Sequence, residues 1–268
     1  MRVLLVSTYE LGRQPFGLAS PAACLRADGH DVTCADLAVE KLPLHAVRQA
    51  NLIAFHLPMH TATRLAAPVI ENARRINAGA HVCCYGLYAP VNAGYLRSLG
   101  VETLLGGEFE DELRRLAQRL AAGDRSTSAE PLMSFERMRF ETPDRSGLPA
   151  LTRYATMFDG QANRITGYTE ATRGCKHLCR HCPVVPVYNG RFRVVPADIV
   201  LADITTGSFF VETIYQVPGV GRYFVQSISA RDYPVILGTV LLLGLVVSVM
   251  NLIVDLLYPL LDPRIGRR

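Results

Sequence analysis

The sequence predicts an α/β fold, a mostly parallel, doubly wound sheet, followed by one membrane-spanning helix. Three observations carry this. Over residues 1–120, short apolar runs alternate with amphipathic stretches. All seven cysteines lie before residue 183, three of them spaced Cys-x-x-x-Cys-x-x-Cys. Residues 234–254 hold no charged side chain. The 268 residues suffice for one large domain or two modest ones. Hydrophobic content of 49% and mean hydropathy of +0.17 are high for a purely water-soluble chain. A net charge of +4 calls for no nucleic-acid partner.

Val3–Val6 is a short apolar run, hence a buried strand, and Ser7–Gly17 a loop. Leu18–Asp28 is apolar on one face and stops at Gly29, as a helix does. Asp31–Asp36, Asn51–Pro58, His81–Tyr85 and Glu102–Leu105 read as further strands. Thr61–Ile76 reads as a helix with Leu65, Val69, Ile70 and Ala73 on its apolar side. Glu108–Leu120 has acids first and bases later, matching the helix dipole. Met1–Leu5 is too short for a secretory leader. The amino-terminal part is therefore expected to be cytosolic and reduced, where clustered cysteines favour metals over disulfides.

Doubly wound sheets bind ligands beyond the carboxyl ends of their strands. Gly86, Gly106, Gly107 and Glu108 stand at those ends, where glycine lets a ligand approach backbone amides; the alternative is that they only make tight turns. The absence of Gly-x-Gly-x-x-Gly and of a phosphate-loop lysine argues against a nucleotide. His56 and His60 straddle Pro58 and do not form a helical metal pair, and Cys83 and Cys84 read as packing thiols. Residues 123–165 read as an ordered connector. Residues 165–173 look like one strand running into a turn at Gly174. Beyond it stand Cys175, Cys179 and Cys182. Three thiolates on one loop can hold three irons of a [4Fe–4S] cluster and leave the fourth iron open. The alternative is zinc, with His177 or His181 as fourth ligand.

The loop GCKHLCRHCPVVP resembles the cluster motif of radical SAM enzymes, and the preceding α/β unit (residues 1–122) resembles the cobalamin-binding domain many of them carry. The resemblance covers about residues 1–204. It implies Cys175, Cys179 and Cys182 as ligands of a [4Fe–4S] cluster, S-adenosylmethionine at the open iron, and cobalamin on the α/β unit. It places Gly86, Gly106, Gly107 and Glu108 at the cofactor edge. No Asp-x-His-x-x-Gly string occurs, so cobalamin would bind without a histidine ligand. Residues 166–204 would supply only the first strand, the cluster loop and the start of one helix of a partial TIM-type barrel. The implied enzyme is truncated and inactive as written.

From Thr206 the texture changes. As a helix, 234–254 would be about 31 Å long, roughly one hydrocarbon core. Tyr233 and Tyr258 bracket it, as interfacial aromatics do. Glu212, Pro218 and Arg222 make 206–224 a poor second span. The stretches GSFFVETIYQVPGVGRYF, ARDYPVILGTVLLL and NLIVDLLYPLLDPRI are similar to the end of dipeptide/oligopeptide ABC transporter permeases. The resemblance implies a lipid bilayer and other transporter subunits as partners for residues 205–268, and a membrane location with a cytoplasmic amino-terminal head. A single span after such a head puts the carboxyl end outside, whereas Arg264, Arg267 and Arg268 favour the inside. Three readings follow: a radical SAM protein, a permease component, or a composite of two unrelated pieces with no joint function.

Overall fold

A computed structural model describes residues 1–126, 133–136, 140–158, 162–204 and 238. The chain divides into two compact units, Met1–Ile204 and Thr205–Arg268. In the first, strand β1 (Arg2–Ser7) buries every residue after Arg2. A strand does this only when both its faces are covered. β1 is flanked by β2 (Asp31–Asp36) and β3 (Leu52–His56); β4 (His81–Tyr85), β5 (Thr103–Gly107) and β6 (Met133–Ser134) follow, giving the order β2-β1-β3-β4-β5-β6. Every neighbouring pair is parallel.

The period of two along these strands builds two cores. Leu4, Val6, Ile53, Phe55, Val82 and Cys84 face one core. It also takes in residues of α2 (Leu44–Gln49), α3 (His60–Ile76), α4 (Tyr88–Val91) and α5 (Ala93–Ser98). Val3, Leu5, Leu52, Ala54, Cys83 and Tyr85 face the other, with α1 (Phe16–Ala27) and α6 (Phe109–Ala121). Each of these large apolar side chains contributes about 1.5–3 kcal/mol through burial. The α/β, parallel-sheet expectation is therefore met.

Some expectations are corrected. On α3 the buried residues are Ala62, Thr63, Ala66, Ala67, Ile70 and Ala73, while Leu65 is 48% exposed; small residues let the helix lie close to the sheet. The short helices α2, α4 and α5 fall where no helix was read, because one or two turns show too little periodicity. Residues 165–173 do not form one strand. A 3-10 turn at Leu151–Arg153 precedes β7 (Thr156–Phe158), which pairs antiparallel with β8 (Asn163–Ile165). Pairing resumes at β9 (Thr172–Gly174), antiparallel to β10 (Phe192–Val194) across α7 (Val185–Tyr188). This pairing is antiparallel, whereas neighbouring strands of a TIM-type barrel are parallel. Residues 197–204 are helical. Among the described residues, no helix is long and apolar enough to cross a membrane. The span expected at 234–254 lies, Gly238 apart, outside them.

Arginines fasten residues 140–204 to the sheet unit. Arg26 Nη1 donates to Asp144 at 2.5 Å. Arg145 donates to both oxygens of Asp203 at 2.9 and 2.8 Å, to Gln14 Oε1 at 2.9 Å and to the Tyr168 carbonyl at 2.6 Å. Arg114 holds Asp28 in a fork of 2.8 and 2.5 Å, tying the end of α1 to α6.

The hydrogen bonds from Arg114 hold the Asp28 carboxyl below its ordinary value of 3.8. A depressed carboxyl lends stability above its unfolded value and loses it as pH falls through its folded value. Asp28→Asn should therefore cost about 1–3 kcal/mol at pH 7 and progressively less below pH ~4. Urea titrations of the detergent-solubilised chain at the two pH values check this; an equal cost at both would contradict it.

Candidate functional site

The carboxyl ends of β1, β3, β4 and β5 open into a crevice of about 330 Å³. The order reverses at β1, where the chain winds to β2 on one side and β3 on the other. Open α/β sheets take ligands at such switch points, and the volume lies at the lower end of the ~300–1,000 Å³ usual for ligand pockets.

The sheet side of the crevice is built around His56, the last residue of β3, which is 6% exposed. Its ring sits 5.3 Å from Tyr85 and 6.2 Å from Phe109. A Cβ at Gly17 would fall 2.0 Å from that ring, so the approach of α1 needs glycine there. Tyr85 OH donates to the Gly17 carbonyl at 2.8 Å, fixing the same contact. Glu10, beyond β1, brings Oε2 to 3.3 Å from His56 Nδ1. Neither atom makes a hydrogen bond, although both are buried.

The facing side comes from residues 168–188. Arg173, 6% exposed, enters beneath it. Its guanidinium donates to Glu110 at 2.7 and 2.5 Å, to Glu108 at 3.2 Å and to Glu170 at 3.1 Å. Ser20 Oγ donates to Glu110 at 2.8 Å. The acids at the start of α6 are thus more than dipole partners: Glu110 is buried to receive Arg173. Burial alone would raise the Glu110 carboxyl, but the charge and hydrogen bonds of Arg173 bring it below its ordinary value. Burial raises Glu108. Burial opposes the charge of Arg173 too, yet its three carboxylates hold the guanidinium firmly protonated.

The residues expected from the sequence are divided by this geometry. Gly86 and Gly107 line the crevice. Both have positive φ, +104° and +73°, and a Cβ on Gly107 would fall 2.2 Å from the Ser134 carbonyl oxygen. Glycine at 107 therefore answers to the backbone of β6 as well as to any ligand. Gly106 pairs with Met133 inside the sheet. Glu108 lies under the crevice, with Oε1 buried and without a hydrogen bond, 3.6 Å from Arg193 Nε. Cys83 and Cys84 are fully buried in opposite cores.

Cys175 and Cys182 are half-buried and Cys179 is exposed. The Cys182 N–H donates to the Cys179 carbonyl at 3.2 Å and the Cys175 N–H to the Arg191 carbonyl at 3.1 Å. Among the described residues, no group of three His, Cys, Asp or Glu side chains is placed to hold a metal ion. Sequence reading missed Glu10, Tyr168 and Arg173 and set His56 aside; only the strand-end position of His56 hinted at a role.

Comparison with known proteins places the chain's likeness at its carboxyl-terminal end. Residues 194–267 match the binding-protein-dependent transport system inner membrane component family. The dipeptide transport system permease protein DppB of Bacillus subtilis is 53% identical over 90 residues, 34% of this chain and 27% of that protein. The oligopeptide transport system permease protein AppB of the same organism is 34% identical over 132 residues, 46% of this chain and 39% of that protein. DppB of Escherichia coli is 44% identical over 65 residues, 24% of this chain and 19% of that protein. The chain thus spans well under half the length of these relatives. A flavodoxin-like domain from Synechococcus covers 45% of this chain and 94% of its own, at 18% identity and a TM-score of 0.36.

These findings correct the reading of the chain as a radical SAM enzyme. The matching family and relatives are transport permeases. The match begins at residue 194, so it also takes in the helical residues 197–204 that were assigned to the enzyme core.

Arg173→Ala would leave Glu108, Glu110 and Glu170 without their buried counter-charge. A loss of about 3–5 kcal/mol is expected, as when one partner of a buried pair is removed. Gly107→Ala should cost at least ~1–3 kcal/mol, from positive φ and the contact with Ser134. Urea midpoints of the solubilised chain measure both; wild-type midpoints would contradict them.

Proposed function

We propose that this chain is a membrane-held protein whose residues 194–267 serve as the carboxyl-terminal segment of a dipeptide/oligopeptide ABC transporter permease. The observation that carries it is the family match over 194–267, with 53% identity to DppB of Bacillus subtilis. The uncharged run 234–254, of one-bilayer length, supports it. In this reading the segment sits in the inner membrane and works beside other transporter subunits, and short peptides are the solute. In this reading the tail's part is to occupy lipid and pack against neighbouring helices.

A second reading is favoured by one observation. The boundary between the compact units, Ile204/Thr205, separates a doubly wound α/β unit from a tail that carries the uncharged run 234–254. The chain then joins two pieces without a shared task.

Washing membranes with alkaline carbonate tests the membrane location. The full chain should stay in the pellet, and a variant lacking 234–254 should be released; release of the full chain would contradict the proposal. Co-purification with a peptide-transporter ATPase is expected of a working permease component. Its absence from a chain that stays in the pellet favours the joined-pieces reading.

A further inference from the structure

The crevice of the α/β unit has an acceptor chemistry that the permease reading does not use, and the inference here is independent of that reading. Glu10 and His56, 8% and 6% exposed, both line it. Glu10 Oε2 and His56 Nδ1 face each other at 3.3 Å, buried and without a hydrogen bond. Leaving a buried acceptor unsatisfied costs about 1–3 kcal/mol, more if it is charged. Such atoms inside a cavity of ligand size mark where a ligand's donor belongs.

The surrounding charge says what kind of donor. Glu170 also lines the crevice. Glu108 and Glu110 lie beneath it, and the buried cation among these acids, Arg173, is already engaged by Glu108, Glu110 and Glu170. Arg193 reaches Glu108 only at 3.6 Å. Glu10, Glu108, Glu110 and Glu170 outnumber Arg13, Arg173 and Arg193, and the Glu10 carboxylate faces the His56 ring at 3.3 Å, so with that ring neutral the site favours a cation and disfavours an anion. The donors are not gathered as a metal site, which points to an organic cation. The walls are rings: Phe109, Tyr168 and Tyr188 line the crevice with the apolar Met59 and Leu87. Flat rings both bury an aromatic body and attract an ammonium through their faces.

We propose that the crevice binds a small single-ring aromatic amine, its ammonium donating to Glu10 and its ring lying against Tyr168 and Phe109. Recognition needs no covalent step. Arg13, whose guanidinium stacks 5.1 Å over the Tyr168 ring, closes the outer side of that ring.

The test uses the full chain in lipid nanodiscs, with empty nanodiscs as reference, and saturation-transfer NMR titrations of tyramine and of 4-hydroxyphenylacetate. The two share a ring and differ in the sign of the charged end. Tyramine should bind saturably with a Kd below about 1 mM, and the acid at least about tenfold more weakly. Glu10→Gln should weaken tyramine by about tenfold or more, and Glu10→Asp should recover part of the loss. Tyr168→Leu, which keeps bulk and removes the ring, should weaken tyramine whether or not Glu10→Gln folds. Equal or tighter binding of the acid, wild-type affinity in Glu10→Gln or Tyr168→Leu, or no saturable tyramine binding up to about 10 mM would overturn the proposal. None of these results bears on carbonate extraction, so the two proposals fail separately.

Discussion

The arrangement of the first unit depends on one buried guanidinium. Arg173 stands on β9, far along the chain from the helix it meets, and its fork closes on Glu110 at the start of α6. Burying such a charge is costly, and the cost is met only if every donor finds an acceptor. Three carboxylates and the faces of Phe109 and Phe140 surround it. The position of residues 168–188 is therefore set by where those acids stand. The crevice is a consequence: one wall comes from strand ends, the other from the segment that Arg173 pins. Tyr188 OH, donating to the Gly107 carbonyl at 3.2 Å, adds a second stitch between the same walls.

How much of this was legible depends on the range of the forces involved. The parallel sheet was readable because strands buried on both faces must be largely apolar, as Val3–Val6 and Leu52–Phe55 are. Period and dipole marked α3 and α6 within a residue or two. The apolar side of α3 was misjudged at Leu65, because the face laid on the sheet is made mostly of Ala62, Ala66, Ala67 and Ala73, whose apolar signal is weaker than that of a leucine. Residues 165–173 read as a strand on composition. Their backbone instead follows side chains, with Tyr168 receiving Arg145 and Glu170 receiving Arg173. Long-range ion pairs leave no local period, so neither the Arg173 network nor the facing of Glu10 and His56 was visible. The glycines at 86 and 107 were visible, but their reasons were mixed: Gly107 also makes room for Ser134.

The cysteine loop was legible through its spacing alone. Its spacing suits a soft-metal centre, and the thiols lie on a short turn, yet they are not assembled as ligands among the described residues. The tail carries a long uncharged run of the length that crosses a bilayer. It is also the part that related proteins match. The chain therefore joins a unit held together by buried salt bridges in a packed α/β core to a segment whose chemistry suits a bilayer.

That division is open to one direct measurement: protease digestion of membrane vesicles bearing the full chain, with the products identified by mass spectrometry. The account predicts cleavage near the Ile204/Thr205 boundary, a resistant water-soluble fragment covering the α/β unit, and a tail fragment containing 234–254 left in the lipid. Digestion of the α/β unit to small peptides, or recovery of the tail in the aqueous fraction, would contradict it.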